Sequence, residues 1–169
     1  MSEESIVLEN HPNDSRMKIK TDGVFQTLSS RMGTGGNNTP MIMQRGAVMN
    51  DGEYVVRRLT PLECERLQGY PDGWTDIGDW VADDGKTRKC TDANRYKALG
   101  NSLALPFWAW MAERMAKHLP EGATMASLFD GIGGFPLVYQ AAGVKAVWAS
   151  EIEEFPIAVT KLRFPEEGD

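Results

Sequence analysis

The spacing of apolar residues divides the chain into a weakly patterned first part and a well-patterned remainder. Up to residue 53 the apolar runs are short, and residues 6–8, 24–28 and 41–43 each suit a small strand. Glycine and asparagine cluster at residues 33–38, which predicts a turn. We therefore predict a loop-rich piece built of short strands.

The next part of the chain carries strong helix signals. Residues 54–59 suit a strand, and Thr60, Pro61 and Glu63 follow it. A threonine at the N-cap, a proline at the first helical position and a glutamate at the third can close a capping box. Gly69 is well placed to end this helix.

Two further helices are predicted after a polar insert at residues 75–91. The first starts near Thr91 and is broken by residues 100–102, and the second occupies residues 103–118. Apolar side chains recur at helical spacing along the second helix, at Trp108, Met111, Met115 and Leu119.

From residue 120 onwards strands and helices alternate. The pattern predicts a buried strand at 125–129, a helix at 135–142, a second strand at 145–150 and a helix at 154–162. Such alternation is typical of α/β proteins, so we predict a partial Rossmann-like sheet. The predicted division is a recognition piece at 1–53, a helical segment at 54–119 and a βαβ unit at 120–169.

A glycine-rich turn follows the first strand of the βαβ unit. Gly131, Gly133 and Gly134 would let the backbone approach a ligand and expose its N–H groups, and Glu151 at the end of the second strand could accept ribose hydroxyls. Pro136 stands where the dinucleotide-binding pattern needs a third glycine, which disfavours NAD or FAD. A turn that only joins strand to helix is the alternative.

Several segments together resemble DNA cytosine-5 methyltransferases. Residues 129–134, Phe-Asp-Gly-Ile-Gly-Gly, are similar to the first motif of that family, and residues 148–152 to its second. Residues 57–72 resemble the ninth motif, residues 96–102 the tenth, and residues 26–36 more weakly the recognition segment of phage-type members.

The resemblance implies an S-adenosylmethionine-dependent methyltransferase fold and S-adenosyl-L-methionine as the cofactor. In this family the first-motif turn holds the methionine end, the acid of the second motif binds the ribose, and the next apolar side chain packs on the adenine. The tenth motif edges the pocket, and a simple helix cap is the alternative for its Asn101 and Ser102. The implied cofactor-binding residues are Phe129, Asp130, Gly131, Ile132, Gly133, Gly134, Glu151, Ile152, Asn101 and Ser102. No metal is implied.

Double-stranded DNA is the implied substrate, although the chain is acidic overall. It has 18 Lys and Arg against 24 Asp and Glu, which excludes a strongly basic coat but not a local basic face. Basic residues concentrate between 57 and 97, so we expect DNA contact there. The candidate DNA-binding residues are Arg31, Arg57 and Arg58. A flexible loop is the alternative for the segment that contains Arg31, and a surface salt bridge is the alternative for Arg57 and Arg58.

The residues that carry the family's chemistry are not found in this sequence. In the family, a cysteine in a Pro-Cys pair bonds to the cytosine and a Glu-Asn-Val motif protonates the base. Cys64 lies between two acids, which would raise its thiol pKa, and Cys90 lies in the polar insert. We therefore assign no catalytic residue, and nothing indicates a disulfide.

The order of the motifs also differs from the family's usual one, since the ninth and tenth precede the first. This order suits a circular permutation or a split enzyme, with the missing half on a complementary chain or a longer one. A non-catalytic remnant that binds cofactor or DNA is the alternative function. An incomplete sheet would also favour self-association. Finally, no apolar run suits a signal or a membrane span, so we expect a cytoplasmic protein.

Overall fold

The computed structural model describes residues 6–9, 17–32, 39–45 and 54–165. It contains both helices and sheets, as the sequence predicts. The turn predicted at residues 33–38 lies outside the described residues. None of the described helices is long and apolar enough to cross a membrane.

The first part of the chain forms an antiparallel sheet of short strands. Its strands are β1 (Ile6–Glu9), β2 (Lys18–Lys20), β3 (Met41–Arg45) and β4 (Tyr54–Arg58), in the order β2-β1-β3-β4. The strand predicted at residues 24–28 is wrong. That run is irregular, and its apolar side chains Phe25 and Leu28 pack against the core instead of joining a sheet.

Helix α1 (Pro61–Gln68) begins and ends where the sequence predicts. The Thr60 side chain accepts from the Glu63 backbone, and the Glu63 side chain accepts from the Thr60 backbone, so the capping box is complete. Gly69 ends the helix with a left-handed φ of 80°.

The polar insert contains a small hairpin followed by two helices. Two-residue strands β5 (Trp80–Val81) and β6 (Thr87–Arg88) pair antiparallel, where the sequence predicted only irregular structure. Helix α2 (Asp92–Gly100) starts at the predicted cap, and α3 (Leu105–Ala116) is shorter than predicted. In α3 the buried residues are Leu105 and Ala112, whereas Met115 is exposed.

The last part of the chain forms the predicted βαβ unit. It comprises β7 (Thr124–Leu128), α4 (Gly134–Ala141) and β8 (Lys145–Ser150), with β7 parallel to β8, and α5 (Glu154–Arg163) follows.

The prediction that its first strand is buried was wrong, because among the described residues β7 pairs only with β8. Helix α4 packs against both strands and Ser127 is buried, but Leu128 is 62% exposed.

One hydrophobic cluster joins all three predicted segments. It includes Met32 and Ile42 from the first segment, Leu59 and Leu99 from the second, and Ile132 from the third. The βαβ unit is therefore packed directly against the helices that precede it, and α3 packs on α4 with Trp108 edge-on to Phe135 at 4.9 Å.

Candidate functional site

A tight left-handed turn lies at the carboxyl ends of β7 and β8. The φ angles of Phe129, Gly131 and Gly133 are 53°, 60° and 81°. The glycines adopt such angles without strain, whereas Phe129 does so at a cost. The Phe129 side chain is 87% exposed, and so is that of Ile152 beyond β8. Two large apolar side chains are therefore free to pack on a ligand ring at this edge.

Glu151 fastens this turn to the end of β8. One carboxylate oxygen accepts from the Gly131 N–H at 2.7 Å, and the other accepts from the N–H groups of Ile152 and Glu153 at 2.7 and 3.0 Å. Partial burial raises the pKa of Glu151, but the three N–H donors outweigh it, so this pKa lies below its usual value. A carboxylate has about four acceptor positions, which leaves room for a ligand hydroxyl.

Asp130 presents a carboxylate oxygen that lacks a partner. Its Oδ1 accepts from the Ser127 hydroxyl at 2.5 Å, while its Oδ2 is buried without a hydrogen-bond partner among the described residues. Burial raises the pKa of Asp130, the Ser127 hydrogen bond lowers it, and the charge of Glu151 raises it further, for a net increase. Such an orphaned acceptor would be satisfied by a cationic or N–H-bearing ligand group.

Tyr70 brings the end of α2 to the glycine turn. Its hydroxyl forms a short hydrogen bond with the Ser102 hydroxyl, and a Cβ added to Gly134 would lie 2.6 Å from the same oxygen. Burial raises the pKa of Tyr70 to about 12, partly offset by the Ser102 bond and increased by the charge of Asp130. The Tyr70 hydroxyl therefore lies beside both Ser102 and the glycine turn.

Asn101 lies beside a small cavity between α2 and α5. The cavity holds about 80 Å³ and lies next to the residues that follow Glu151. Lys97 and Glu153 form an ion pair of 2.8 Å beside it. The remaining lining residues are Asn94, Ala98, Phe155 and Pro156.

Residues that the sequence analysis did not single out support the turn. The indole N–H of Trp74 donates to the Ile132 carbonyl at 2.8 Å, and Arg163 donates to the Trp74 carbonyl at 3.0 Å. A buried tryptophan usually donates its N–H to an acceptor, and this is the one sequence signal that could have pointed to a distant partner for Trp74. Nothing in the sequence around Trp74 indicates that Ile132 is this acceptor.

These groups fit S-adenosyl-L-methionine. Its ammonium group suits the unpartnered carboxylate oxygen of Asp130, and one of its ribose hydroxyls suits the remaining acceptor position of Glu151. Its adenine ring suits the exposed apolar side chains of Phe129 and Ile152. No group of three or more metal ligands occurs among the described residues.

The candidate DNA-binding arginines lie on and near the antiparallel sheet. Arg57 forms an ion pair with Glu63 at 2.7 Å and also contacts Gln44. Arg31 and Arg58 are exposed.

Most basic residues between 57 and 97 form ion pairs with nearby carboxylates. The pairs are Arg66–Asp72, Arg88–Asp84, Arg95–Glu65 and Lys97–Glu153.

Neither cysteine lies at the turn. Cys64 is fully buried on α1, and burial, helped by the charges of Glu63 and Glu65, raises the pKa of its thiol to about 12. Cys90 donates to the Thr75 carbonyl at 3.4 Å.

Known proteins resemble this chain over part of its length. A family model described as C-5 cytosine-specific DNA methylase matches residues 4–117. The chain is 35% identical to a DNA N-6-adenine-methyltransferase of Escherichia phage P1, over 48% of this chain and 14% of that protein. It is 31% identical to the type II methyltransferase M.Bsp6I of Bacillus sp. (strain RFL6), over 57% of this chain and 24% of that protein.

A plant protein also matches. The chain is 30% identical to the DNA (cytosine-5)-methyltransferase DRM2 of Oryza sativa subsp. japonica, over 66% of this chain and 17% of that protein. The chain therefore spans between 14% and 24% of the length of these three relatives.

Proposed function

Because this chain belongs to the C-5 cytosine-specific DNA methylase family, we propose that it forms the cofactor-binding portion of a DNA cytosine-5 methyltransferase. The observation that carries the proposal is the glycine turn held by Glu151, with the unpartnered Asp130 oxygen inside it and Ser102 brought beside it by Tyr70. We therefore assign the tenth-motif and first-motif resemblances to one site of a partial Rossmann-like methyltransferase fold, and the contact between Tyr70 and Ser102 supports this assignment.

Each residue of the site has a distinct part in this proposal. When bound, S-adenosyl-L-methionine supplies the methyl group. Asp130 would neutralise its ammonium group, and Glu151 would orient its ribose while keeping the turn closed. Phe129 and Ile152 would cover the adenine and exclude water, and Asn101 and Ser102 would border the pocket.

The close packing of α3 on α4 supports a permuted arrangement. In linear members of the family the tenth motif ends the sequence and the first begins it. Here α2 and α3 precede β7, yet they pack against the unit that contains the glycine turn. The proposed segments are a recognition piece at 1–53, a helical segment at 54–119 and a cofactor-binding unit at 120–169.

The uncovered face of the β7–β8 sheet supports the need for a further segment or chain. Leu128 and Trp148 lie on the face opposite the buried Ser127 and are 62% and 53% exposed. Soluble domains seldom leave such side chains uncovered without a partner. We therefore place the missing Pro-Cys and Glu-Asn-Val motifs on whatever covers this face, with double-stranded DNA contacted at Arg31, Arg57 and Arg58.

Calorimetric titration with S-adenosylhomocysteine tests cofactor binding. The wild type and the control Glu113→Ala, exposed on α3, should bind equally. Glu151→Ala should bind at least tenfold more weakly, because the turn loses its anchor and the ribose its acceptor. Equal affinity in all three proteins would overturn the proposed site.

Methyl transfer to DNA tests the rest of the proposal. The chain alone should be inactive, and supplying a family segment that carries Pro-Cys and Glu-Asn-Val should restore transfer. Methyl transfer by the chain alone would contradict the proposal that the catalytic motifs lie on a further segment or chain. Binding without restored activity would favour the non-catalytic remnant. Mass spectrometry of the product distinguishes 5-methylcytosine from N6-methyladenine, the base modification in the name of the phage P1 relative.

A further inference from the structure

We infer that Trp74 is a positioning residue for the cofactor turn, an inference that rests on the proposed function. Trp74 lies in the turn after α1 and is buried, with 7% of its surface exposed. Its indole Nε1 donates to the carbonyl oxygen of Ile132 at 2.8 Å, across 58 residues of sequence. Ile132 is fully buried and stands between the two left-handed glycines Gly131 and Gly133.

This single hydrogen bond sets the orientation of a whole peptide group. The Ile132 carbonyl and the Gly133 N–H belong to the same planar unit, so holding one fixes the other. Glycines on both sides have little conformational preference of their own, so the turn needs an external hold. The Gly133 N–H in turn donates to the Asp130 carbonyl at 3.2 Å, which closes the turn around Asp130.

Trp74 is itself held from two directions. The Glu65 carboxylate accepts from the N–H groups of Gly73 and Thr75 at 2.7 and 2.9 Å, which ties the flanking backbone to α1. Arg163 on α5 donates to the Trp74 carbonyl, and Phe164 packs edge-on to its ring at 5.8 Å. The Trp74 indole is therefore held in a fixed position, from which its N–H can orient the glycine turn.

Trp80 provides a matched control within the same protein. It is as buried as Trp74, at 8% exposed, and packs edge-on to Phe155, also at 5.8 Å. Its Nε1 is buried without a hydrogen-bond partner in the part of the chain that the structure describes. Trp→Phe thus removes similar volume at both positions but a hydrogen bond only at Trp74.

Two measurements on Trp74→Phe and Trp80→Phe test the inference. Affinity for S-adenosylhomocysteine should fall about three- to tenfold in Trp74→Phe and by less than twofold in Trp80→Phe. Without ligand, amide hydrogen exchange at residues 130–134 should speed up only in Trp74→Phe. Replacing Trp74 with benzothienylalanine, which keeps the bicyclic ring and lacks the N–H, should reproduce both effects.

The outcomes separate the inference from the proposed function. If the wild type fails to bind S-adenosylhomocysteine, the proposed function fails, while exchange at residues 130–134 still reports on the positioning. If Trp74→Phe and Trp80→Phe lose equal affinity and equal protection, Trp74 acts only through packing. Unchanged exchange in Trp74→Phe would likewise overturn the inference.

Discussion

The guanidinium of Arg95 lies 3.1 Å from the carboxylate of Glu65, which is completely buried, so an interior ion pair joins α2 to α1. Arg95→Met would leave that carboxylate without its cation. We expect a loss of about 3 kcal/mol in the free energy of unfolding, measured by urea denaturation, because an uncompensated buried charge is costly.

The control for this prediction is Arg66→Met on α1, the helix that carries Glu65. Arg66 pairs with Asp72 at 2.6 Å, but both side chains are more than half exposed. Such exposed pairs contribute less than about 1 kcal/mol. Losses of similar size in the two variants would contradict an interior role for Arg95.

The Arg57–Glu63 pair makes part of the stability dependent on pH. Hydrogen bonds from Arg57, and to a lesser extent from Thr60, lower the pKa of Glu63 from 4.5 to about 2, against the opposing effect of burial. A carboxyl with a lowered pKa stabilises the folded protein above pH 4.5, and this contribution is lost as the pH falls from 4.5 towards 2.

Glu63→Gln should therefore be less stable than the wild type by about 0.5–1 kcal/mol at pH 7, since glutamine can keep the capping box but not the ion pair. The difference should disappear near pH 2. Urea denaturation of the wild type and of Glu63→Gln at a series of pH values measures it. A difference that persisted at pH 2 would argue against the ion pair as its source.

Gly100 holds the end of α2 against the first part of the chain. A Cβ at this position would lie 1.9 Å from the Ser29 carbonyl oxygen, a backbone atom that cannot swing aside. Gly100→Ala should lower the free energy of unfolding by more than about 2 kcal/mol.

The comparison is Gly143→Ala, where a Cβ meets no atom within 4 Å but φ is +84°. That change should cost about 1 kcal/mol through backbone strain alone. Thermal melting of both variants shows which of the two substitutions destabilises the protein more. Greater damage from Gly143→Ala would show that the contact with Ser29 is loose.

The features that the sequence predicted are those encoded within a few residues. Thr60, Pro61, Glu63 and Gly69 define α1 because caps act on adjacent backbone groups. The glycine turn and its strand ends were found for the same reason.

The features that it did not predict depend on distant partners. The contacts from Trp74 to Ile132, from Tyr70 to Ser102 and from Glu65 to Arg95 span 58, 32 and 30 residues, and no local pattern specifies them. The false strand at 24–28 and the false burial of β7 have a related cause. An apolar run indicates burial or pairing only in combination with neighbours that lie elsewhere in the sequence.

The open face of the β7–β8 sheet also affects the steady-state amount of this protein in a cell. Leu128 and Trp148 present the kind of apolar surface that chaperones and proteases bind. Copies made in excess of the covering segment should be degraded, so the steady-state amount of the chain should follow the supply of its counterpart rather than its own rate of synthesis.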